Sequence, residues 1–407
     1  MITDTIRTNG TGGRNSTQKL GRNVVSLGAV SFFTDVASEM MYPLLPVFLA
    51  SVLGASASFI GVIEGAAESV ASLLKLASGW WSDRVKSRKG LVLAGYVLAS
   101  VIRPFTAATH TAAQVLGIRV TDRIGKGIRS TPRDALIAES VDPSIRGRAF
   151  GFHAAADNAG AVVGPLIAFG VLYYWHTPLR TVFWLTAIPG AIAVLVLWIF
   201  VRDVPHEVAA GSGRPQLFGT DLPGRFWGYL AVVFTFTLGN STDAFLLLRA
   251  SQLGVPVALA PVLWALLNFV KSATGTYGGG LSDRLGRKPL IVGGWLLYAA
   301  VYLAFGLASS AWQAWALFAV YGVFYGMTEG TEKAMVVDIV PSHRKGTGLG
   351  WYNLAIGIGA LPASLIFGAV WDRAGAPAAF VFGAVVACIA ALGMSLVRPP
   401  AGMHARA

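Results

Sequence analysis

The chain has 407 residues, of which 54% are hydrophobic and 13% charged, with a mean hydropathy of +0.60 and a net charge of +12. A soluble domain carries roughly 25% charged residues, so this composition excludes a soluble protein, and the basic residues, gathered in short segments between apolar runs, mark membrane topology and not a nucleic-acid surface. A single cysteine, Cys388, lies within an apolar run and excludes an intrachain disulfide or a thiolate cluster.

Residues 1–22 are polar, basic and rich in Gly, Ser, Thr and Asn, and read as a disordered N-terminus. The apolar run 24–53 exceeds a secretory core of about 7–15 residues, and it holds Asp35, Glu39, Pro43 and Pro46, so it reads as an uncleaved first helix. A helix needs about 20 apolar residues to cross the hydrocarbon. By that ruler the further runs fall near 58–82, 90–109, 112–139, 148–174, 179–201, 227–250, 256–280, 289–309, 312–339, 346–371 and 376–397, for twelve spans in all. The predicted organisation is a six-helix bundle over 23–201, a cytoplasmic linker over 202–226 containing Pro205, Gly211, Gly213, Pro215, Pro223 and Gly224, a second bundle over 227–397, and a short tail over 398–407.

The loops on one side carry Arg84, Lys86, Arg88, Lys89, Arg146, Arg148, Arg202, Arg284, Arg287, Lys288, Arg344 and Lys345, whereas the other side offers Arg180, Arg249 and Arg373. Positive loops stay inside, which predicts a cytoplasmic-membrane protein with both termini in the cytoplasm. The halves also repeat. Gly79-Trp-Trp-Ser-Asp83-Arg84 recurs two hundred positions later as Gly279-Gly-Leu-Ser-Asp283-Arg284, and Pro143-Ser-Ile-Arg-Gly recurs as Pro341-Ser-His-Arg-Lys.

Charges inside apolar spans are costly and mark functional candidates. In the second span Glu64, Glu68 and Lys75 share one face at 100° per residue. Glu68 and Lys75, two turns apart, can form an internal ion pair that only holds helices together; Glu64 has no obvious local counter-ion. In the fourth span Arg119, Asp122, Arg123, Lys126, Arg129, Arg133 and Asp134 lie along one side. Such a stripe either binds an anion or neutralises carboxylates on neighbouring helices, for which Asp35, Glu39, Glu64 and Glu68 are available; Arg129 and Arg133 also fit ordinary snorkelling to the headgroups. The second half holds Asn240, Asp243, Trp264, Asn268, Lys271, Tyr277, Glu329, Glu332, Lys333 and Asp338. Its aromatics either shape substrate contacts or simply pack. Gly160 and Gly164 form a small-xxx-small pair before Pro165, echoed by Gly357, Gly359 and Pro362.

These motifs together resemble the major facilitator superfamily. Gly279-x-x-x-Asp283-Arg284-x-Gly286-Arg287-Lys288 is similar to its loop between helices two and three, in the copy between helices eight and nine; the first-half copy has one extra residue and Lys86 in place of the glycine. Arg123-Ile-Gly-Lys126-Gly127 resembles the helix-four motif with Lys for Gln, and Gly160 to Pro165 resembles the helix-five motif of antiporters. More narrowly, Asp35 to Pro46 and Gly125 to Asp134 resemble a bacterial group that includes permeases linked to nickel resistance. The resemblance implies an all-α membrane protein of two pseudo-symmetric bundles that rock about a midplane cavity. It assigns gating to Gly79, Asp83, Arg84, Gly279, Asp283, Arg284, Gly160, Gly164 and Pro165.

The reading is therefore a proton-coupled exporter of a small solute, a cation or drug-like compound. Coupling falls to Asp35, Glu39, Glu64 and Glu68 with Arg123, since a low-dielectric cavity favours the neutral form of a carboxylate. Substrate contacts fall to Arg119, Lys126, Lys75, Asn240, Asp243, Trp264, Asn268, Lys271, Glu329 and Glu332. The rival is an organic-anion or phosphate-type carrier using Arg119, Arg123 and Lys126. A non-transporting sensor would call for a sizeable soluble module, and a membrane enzyme for a metal or nucleophile constellation; neither stands in the sequence. No cofactor, bound metal or nucleic acid is expected. The partners are the bilayer, protons and a small solute, and a monomer suffices because one chain holds both halves.

Overall fold

The computed structural model describes residues 20–82, 85, 87–142, 145–204, 222–341 and 344–397. The N-terminal residues 1–19, Asp83, Arg84 and Lys86, Pro143 and Ser144, most of the linker and the tail from 398 lie outside the described residues. All elements among the described residues are helical. The first half comprises α1 (Arg22–Val52), α2 (Ala57–Ser82), α3 (Arg88–Ala108), α4 (Ala112–Glu139), α5 (Arg146–Trp175) and α6 (Leu179–Phe200). The second comprises α7 (Gly224–Gln252), α8 (Ala260–Leu285), α9 (Arg287–Leu307), α10 (Ala311–Ile339) and the path Lys345–Leu396. That path is broken at Gly375, where φ is 84°, into α11 (345–374) and α12 (376–396). Among the described residues nine helical paths are long and apolar enough to cross a membrane, with α11 and α12 counted as one; the charge-rich α4 does not reach that measure, nor does α10.

Where the helices deviate, the sequence supplies the reason. Proline lacks the N–H that a helix interior requires, and α1 passes through a 3-10 turn at Tyr42–Leu44 and a π turn at Phe48–Val52 around Pro43 and Pro46. The last turns of α3, Arg103–Ala108, tighten to 3-10 at Pro104. Helix α4 starts on a capping box in which Gln114 accepts the Thr111 amide at 3.1 Å; α10 starts the same way, with Gln313 accepting the Ser310 amide at 3.1 Å.

Pairings in the first half recur in the second. Helix α1 packs on α5 and α6, α2 on α4, and α3 on α4 and α6; α7 packs on α11 and α12, α8 on α10, and α9 on α10 and α12. The halves meet along α2 with α11 and along α5 with α8. Glycine permits the closest crossings. A Cβ on Gly164 would lie 2.6 Å from the Val36 carbonyl oxygen, and one on Gly160 would lie 2.6 Å from that of Phe32, so α5 rests directly on the α1 backbone. Between the halves, a Cβ on Gly65 would lie 2.8 Å from Leu361 Cα, and one on Gly368 would lie 2.7 Å from the Ala57 oxygen. At the same end Asp372, in the last turn of α11, accepts the amides of Ala57 and Ser58 at 2.9 Å each and caps α2 from the opposite half.

Two of the three arginines predicted for the basic-poor side also cap helices. Arg180 donates to the Ala107 and Thr109 oxygens at 2.5 and 2.6 Å, closing the C-terminus of α3. Arg249 donates to the Phe305 and Ala308 oxygens at 3.2 and 2.7 Å and does the same for α9. At the other end the motif glycine Gly286 turns α8 into α9 with φ of 90°, a conformation that a Cβ disfavours. Arg287 there holds both Asp283, at 2.5 Å, and Asp338, at 3.2 Å. Gly79 and Gly279 lie in the last turns of α2 and α8.

Overpacking a close crossing costs about 1–3 kcal/mol or more. Gly164→Val is therefore expected to lower the melting temperature of the purified protein in detergent by several degrees. Gly170→Val, in the same helix with no atom within 4 Å of where its Cβ would lie, is expected to leave stability unchanged within about 0.5 kcal/mol.

Candidate functional site

A cavity of about 360 Å³ lies between the halves, walled by α1, α2, α3 and α4 on one side and α7, α8, α10 and α11 on the other. A second cavity of about 620 Å³ lies beside it, lined by Lys75, Arg133, Asp134, Lys333 and Gly346 among others, towards the end of the molecule that carries the basic loops. Asp35, Lys126 and Arg129 line both and so stand at the passage between them.

One part of the central wall is a closed electrostatic chain. Arg119 grips Glu64 with two parallel hydrogen bonds, Nε to Oε1 at 2.9 Å and Nη2 to Oε2 at 2.5 Å. Arg119 and Glu64 are 2% and 6% exposed, so neither can be left alone without the cost of a desolvated charge. Asp122 lies 3.8 Å from Arg119 and binds Arg103 at 2.7 Å. Two acids and two bases thus neutralise one another, with the Tyr42 ring 5.6 Å from the Arg119 guanidinium. The expectations of a free Glu64 for coupling and a free Arg119 for substrate therefore meet a mutual pair, formed because α2 and α4 face each other across the α2–α4 packing.

The carboxylates without such partners are elsewhere. Among the described residues neither Asp35 nor Glu68 forms an ion pair or accepts a side-chain hydrogen bond, and both are half-buried and line the cavity. The cations acting most strongly on Glu68 are Lys126, Arg123 and Lys75, ahead of Arg119. Those acting on Asp35 are Lys126 and Arg129, with Asp157 and Glu39 as its acidic neighbours. The Glu68–Lys75 bond available from helical spacing is not made; Lys75 lines the second cavity. Arg129 lies deeper than a snorkelling residue, 6% exposed with its guanidinium 4.4 Å from the centre of the Tyr96 ring.

The opposite wall comes from the second half. Helix α7 runs from Gly224 to Gly239, opens over 240–243, and resumes from Ala244 to Gln252. Asn240, Ser241, Thr242 and Asp243 of that break all line the cavity. Short polar side chains compete with the helical backbone bonds, and irregular backbone at membrane depth persists where it lines a cavity. Asp243 accepts hydrogen bonds from Tyr321 at 2.8 Å and Tyr325 at 3.1 Å. Glu39 of α1 accepts the Trp264 indole of α8 at 2.6 Å, a bond between the halves, and the Tyr42 and Trp264 rings lie 4.9 Å apart.

Other second-half candidates fall away from the cavity lining. Asn268 donates to the Trp264 oxygen at 3.1 Å and to the Ala161 oxygen of α5 at 3.4 Å. Lys271 binds Glu329 at 2.9 Å and sits 4.6 Å from the Tyr325 ring. Glu332 accepts from Trp295 at 2.8 Å and Tyr352 at 2.7 Å and lines neither cavity. Three residues turn a helix by 300°, so Glu329 faces α8 while Glu332 faces α9 and α11. Missing from the sequence expectations were Arg103, Tyr42, Ser241, Thr242 and Tyr325. For Arg103 the signal was present as an arginine inside an apolar run; for Ser241 and Thr242 it was the turn-forming run from Asn240 to Asp243. Among the described residues no group of three or more His, Cys, Asp or Glu is placed to hold a metal ion.

The sequence model of the Major Facilitator Superfamily matches residues 27–275 and 250–406. The chain belongs to the major facilitator superfamily. It is 32% identical over 384 residues to a protein of Methanocaldococcus jannaschii described as an uncharacterised MFS-type transporter, a match covering 92% of this chain and 94% of that one. Among solved structures it resembles the nucleoside transporter NupG, with a TM-score of 0.79 and 13% identity over 92% and 99% of the two chains. It also resembles a bacterial homologue of the human lysosomal transporter Spinster in an inward-facing, unoccupied conformation, with a TM-score of 0.71 and 16% identity over 94% and 96%. The fold is thus that of a multi-pass major facilitator transporter, and the molecule is no enzyme.

Removing one partner of a buried ion pair costs about 3–5 kcal/mol. Glu64→Gln and Arg119→Gln are each expected to lower the thermal stability of this facilitator strongly, while the double variant loses less than the sum of the two. Additive losses in a double-mutant cycle would show that the pair contributes nothing to stability.

Proposed function

We propose that the protein is a proton-coupled exporter of a small solute, working as an antiporter by alternating access between two six-span bundles. The observation that carries this reading is the pair of unpaired carboxylates, Asp35 and Glu68, facing Lys126 and Arg123 in a cavity walled by both halves. A carrier needs a carboxylate that can gain and lose a proton without breaking a buried two-pronged ion pair. Glu64 does not meet that condition, because protonating it would cost Arg119 its direct partner and leave only Asp122 at 3.8 Å; the coupling role goes to Asp35 and Glu68, which make no such bond among the described residues, and Arg123 and Lys126 are their counter-charges.

The bias of basic loops supports a cytoplasmic assignment for the side reached by the second cavity, and in this reading solute is loaded from that side. Opening the other way requires release of the contacts between the halves at the end away from the basic loops, the Asp372 cap on α2 and the Glu39–Trp264 bond. A positively charged group of the solute in the cavity favours proton loss from Asp35 and Glu68, and reprotonation from the opposite side drives the return. The helix-five stretch Gly160 to Pro165, whose antiporter resemblance favours export, lies against α1 next to Asp35. An anion carrier is the second reading, supported by Arg123 and Lys126 in the cavity wall and weakened by the engagement of Arg119 with Glu64.

The test uses everted membrane vesicles with an internal pH dye, energised and then given nickel and cobalt ions, lipophilic cations, small zwitterions and small organic anions in turn. One class is expected to release protons, with the release abolished by Asp35→Asn and reduced at least about tenfold by Glu68→Gln. A solute that equilibrates through the protein without moving protons, in wild type as in Asp35→Asn, would overturn proton coupling.

A further inference from the structure

The charges of the central cavity that are not paired with one another differ in balance along its length. At the end away from the basic loops Glu39 and Asp243 lie with the Tyr42, Trp264 and Tyr325 rings, all lining the cavity. Glu39 accepts only the Trp264 indole and Asp243 only phenol donors, so among the described residues neither is held by a cation and both can meet a ligand's ammonium. The nearby cation Lys271 is already bound to Glu329. Acidic groups among aromatic faces suit an organic ammonium.

The other end has the opposite character. Once Glu64, Arg119, Asp122 and Arg103 have neutralised one another, Arg123 and Lys126 remain on α4, and Arg129 stands one turn further on. Among the described residues the buried Arg123 Nε has no hydrogen-bond partner. Asp35 and Glu68 offset part of this positive charge and leave an excess of cations. Arg119 marks the level of the aromatic end, since its guanidinium is 5.6 Å from the Tyr42 ring. Arg123 and Lys126 follow four and seven residues later, which at 1.5 Å per residue places them roughly 6–10 Å along the cavity.

Resting on the transporter reading above, we propose that the substrate is a small zwitterion, an organic ammonium and a carboxylate or similar acid roughly 6–10 Å apart, with its ammonium at Glu39 and Asp243 and its acid at Arg123 and Lys126. A ligand carrying only one charge would leave one end of the cavity with desolvated, unanswered charge. A cavity of about 360 Å³ is at the small end of ligand sites, in keeping with a solute of this length.

The test measures binding to the purified full-length protein in nanodiscs by calorimetry. The probes are ω-amino acids from 4-aminobutyrate to 8-aminooctanoate, each compared with the n-alkylamine and the alkyl carboxylate of equal chain length. At least one ω-amino acid is expected to bind about tenfold or more tightly than either of its singly charged counterparts, the equivalent of one net charged contact. Asp243→Asn should erase its advantage over the carboxylate, and Lys126→Gln its advantage over the amine. If the alkylamines or the carboxylates bind as tightly as the ω-amino acids at every length, or if no ω-amino acid binds, the zwitterion assignment is overturned. Proton movement in vesicles is scored separately: a zwitterion bound and carried without protons keeps this assignment and removes the coupling reading.

Discussion

A charge buried in the hydrocarbon core must be answered by another charge or by hydrogen bonds, and the first half of this transporter is arranged around that demand. Arg119 and Glu64 form a two-pronged bond while almost wholly buried, and Asp122 and Arg103 extend it into a neutral group of four that ties α2, α3 and α4 together. A pair of this kind adds little net stability, because desolvation offsets most of the attraction. What it does is fix which faces of three helices meet, since any rotation would strand a charge. With those four groups satisfied, the remaining charges of the same helices stand out as those left to bind something.

The second half meets the same demand by different means. Its interior is aromatic, with Phe236 stacked on Trp295 at 4.5 Å and Tyr298 on Tyr302 at 4.1 Å, and its buried acids are answered by neutral donors. Asp243 takes phenols and Glu332 takes an indole and a phenol. A common scaffold of matched helix pairings therefore carries one wall with a neutralised core and an excess of cations, and a facing wall whose acid, Asp243, is held by phenols and by no cation among the described residues.

Close glycine crossings set how near these walls can come. Helix α5 lies on the α1 backbone beside Asp35, and α2 lies on α11 at Gly61, Gly65 and Gly368. Side chains at those positions would push the helices apart and widen the cavity. The halves are also joined by polar contacts, backbone amides to Asp372 and an indole to Glu39, which can be exchanged for water when the halves rock.

Much of the architecture was legible in the sequence. Apolar run length, the Lys and Arg bias of the loops and the repeat of Gly79 to Arg84 at Gly279 to Arg284 determined a helical membrane protein built as two related halves, because a bilayer admits few ways to satisfy a spanning backbone. The rule that buried charge is functional also led to Asp35, Glu39, Glu64, Glu68, Arg119, Arg123, Lys126 and Asp243, all of which line the central cavity. What helical spacing could not reach was partnership. Within α2, Glu68 and Lys75 stand at pairing distance by periodicity, yet the tertiary structure gives Glu64 its cation from α4, 55 residues away, and leaves Glu68 open to the cavity. The break over 240–243, the placing of Arg103 against Asp122 and the turning of Glu332 away from the cavity were decided in the same way. Each depends on which helix face meets which neighbour, and that is a property of packing between segments distant in sequence, not of any segment by itself.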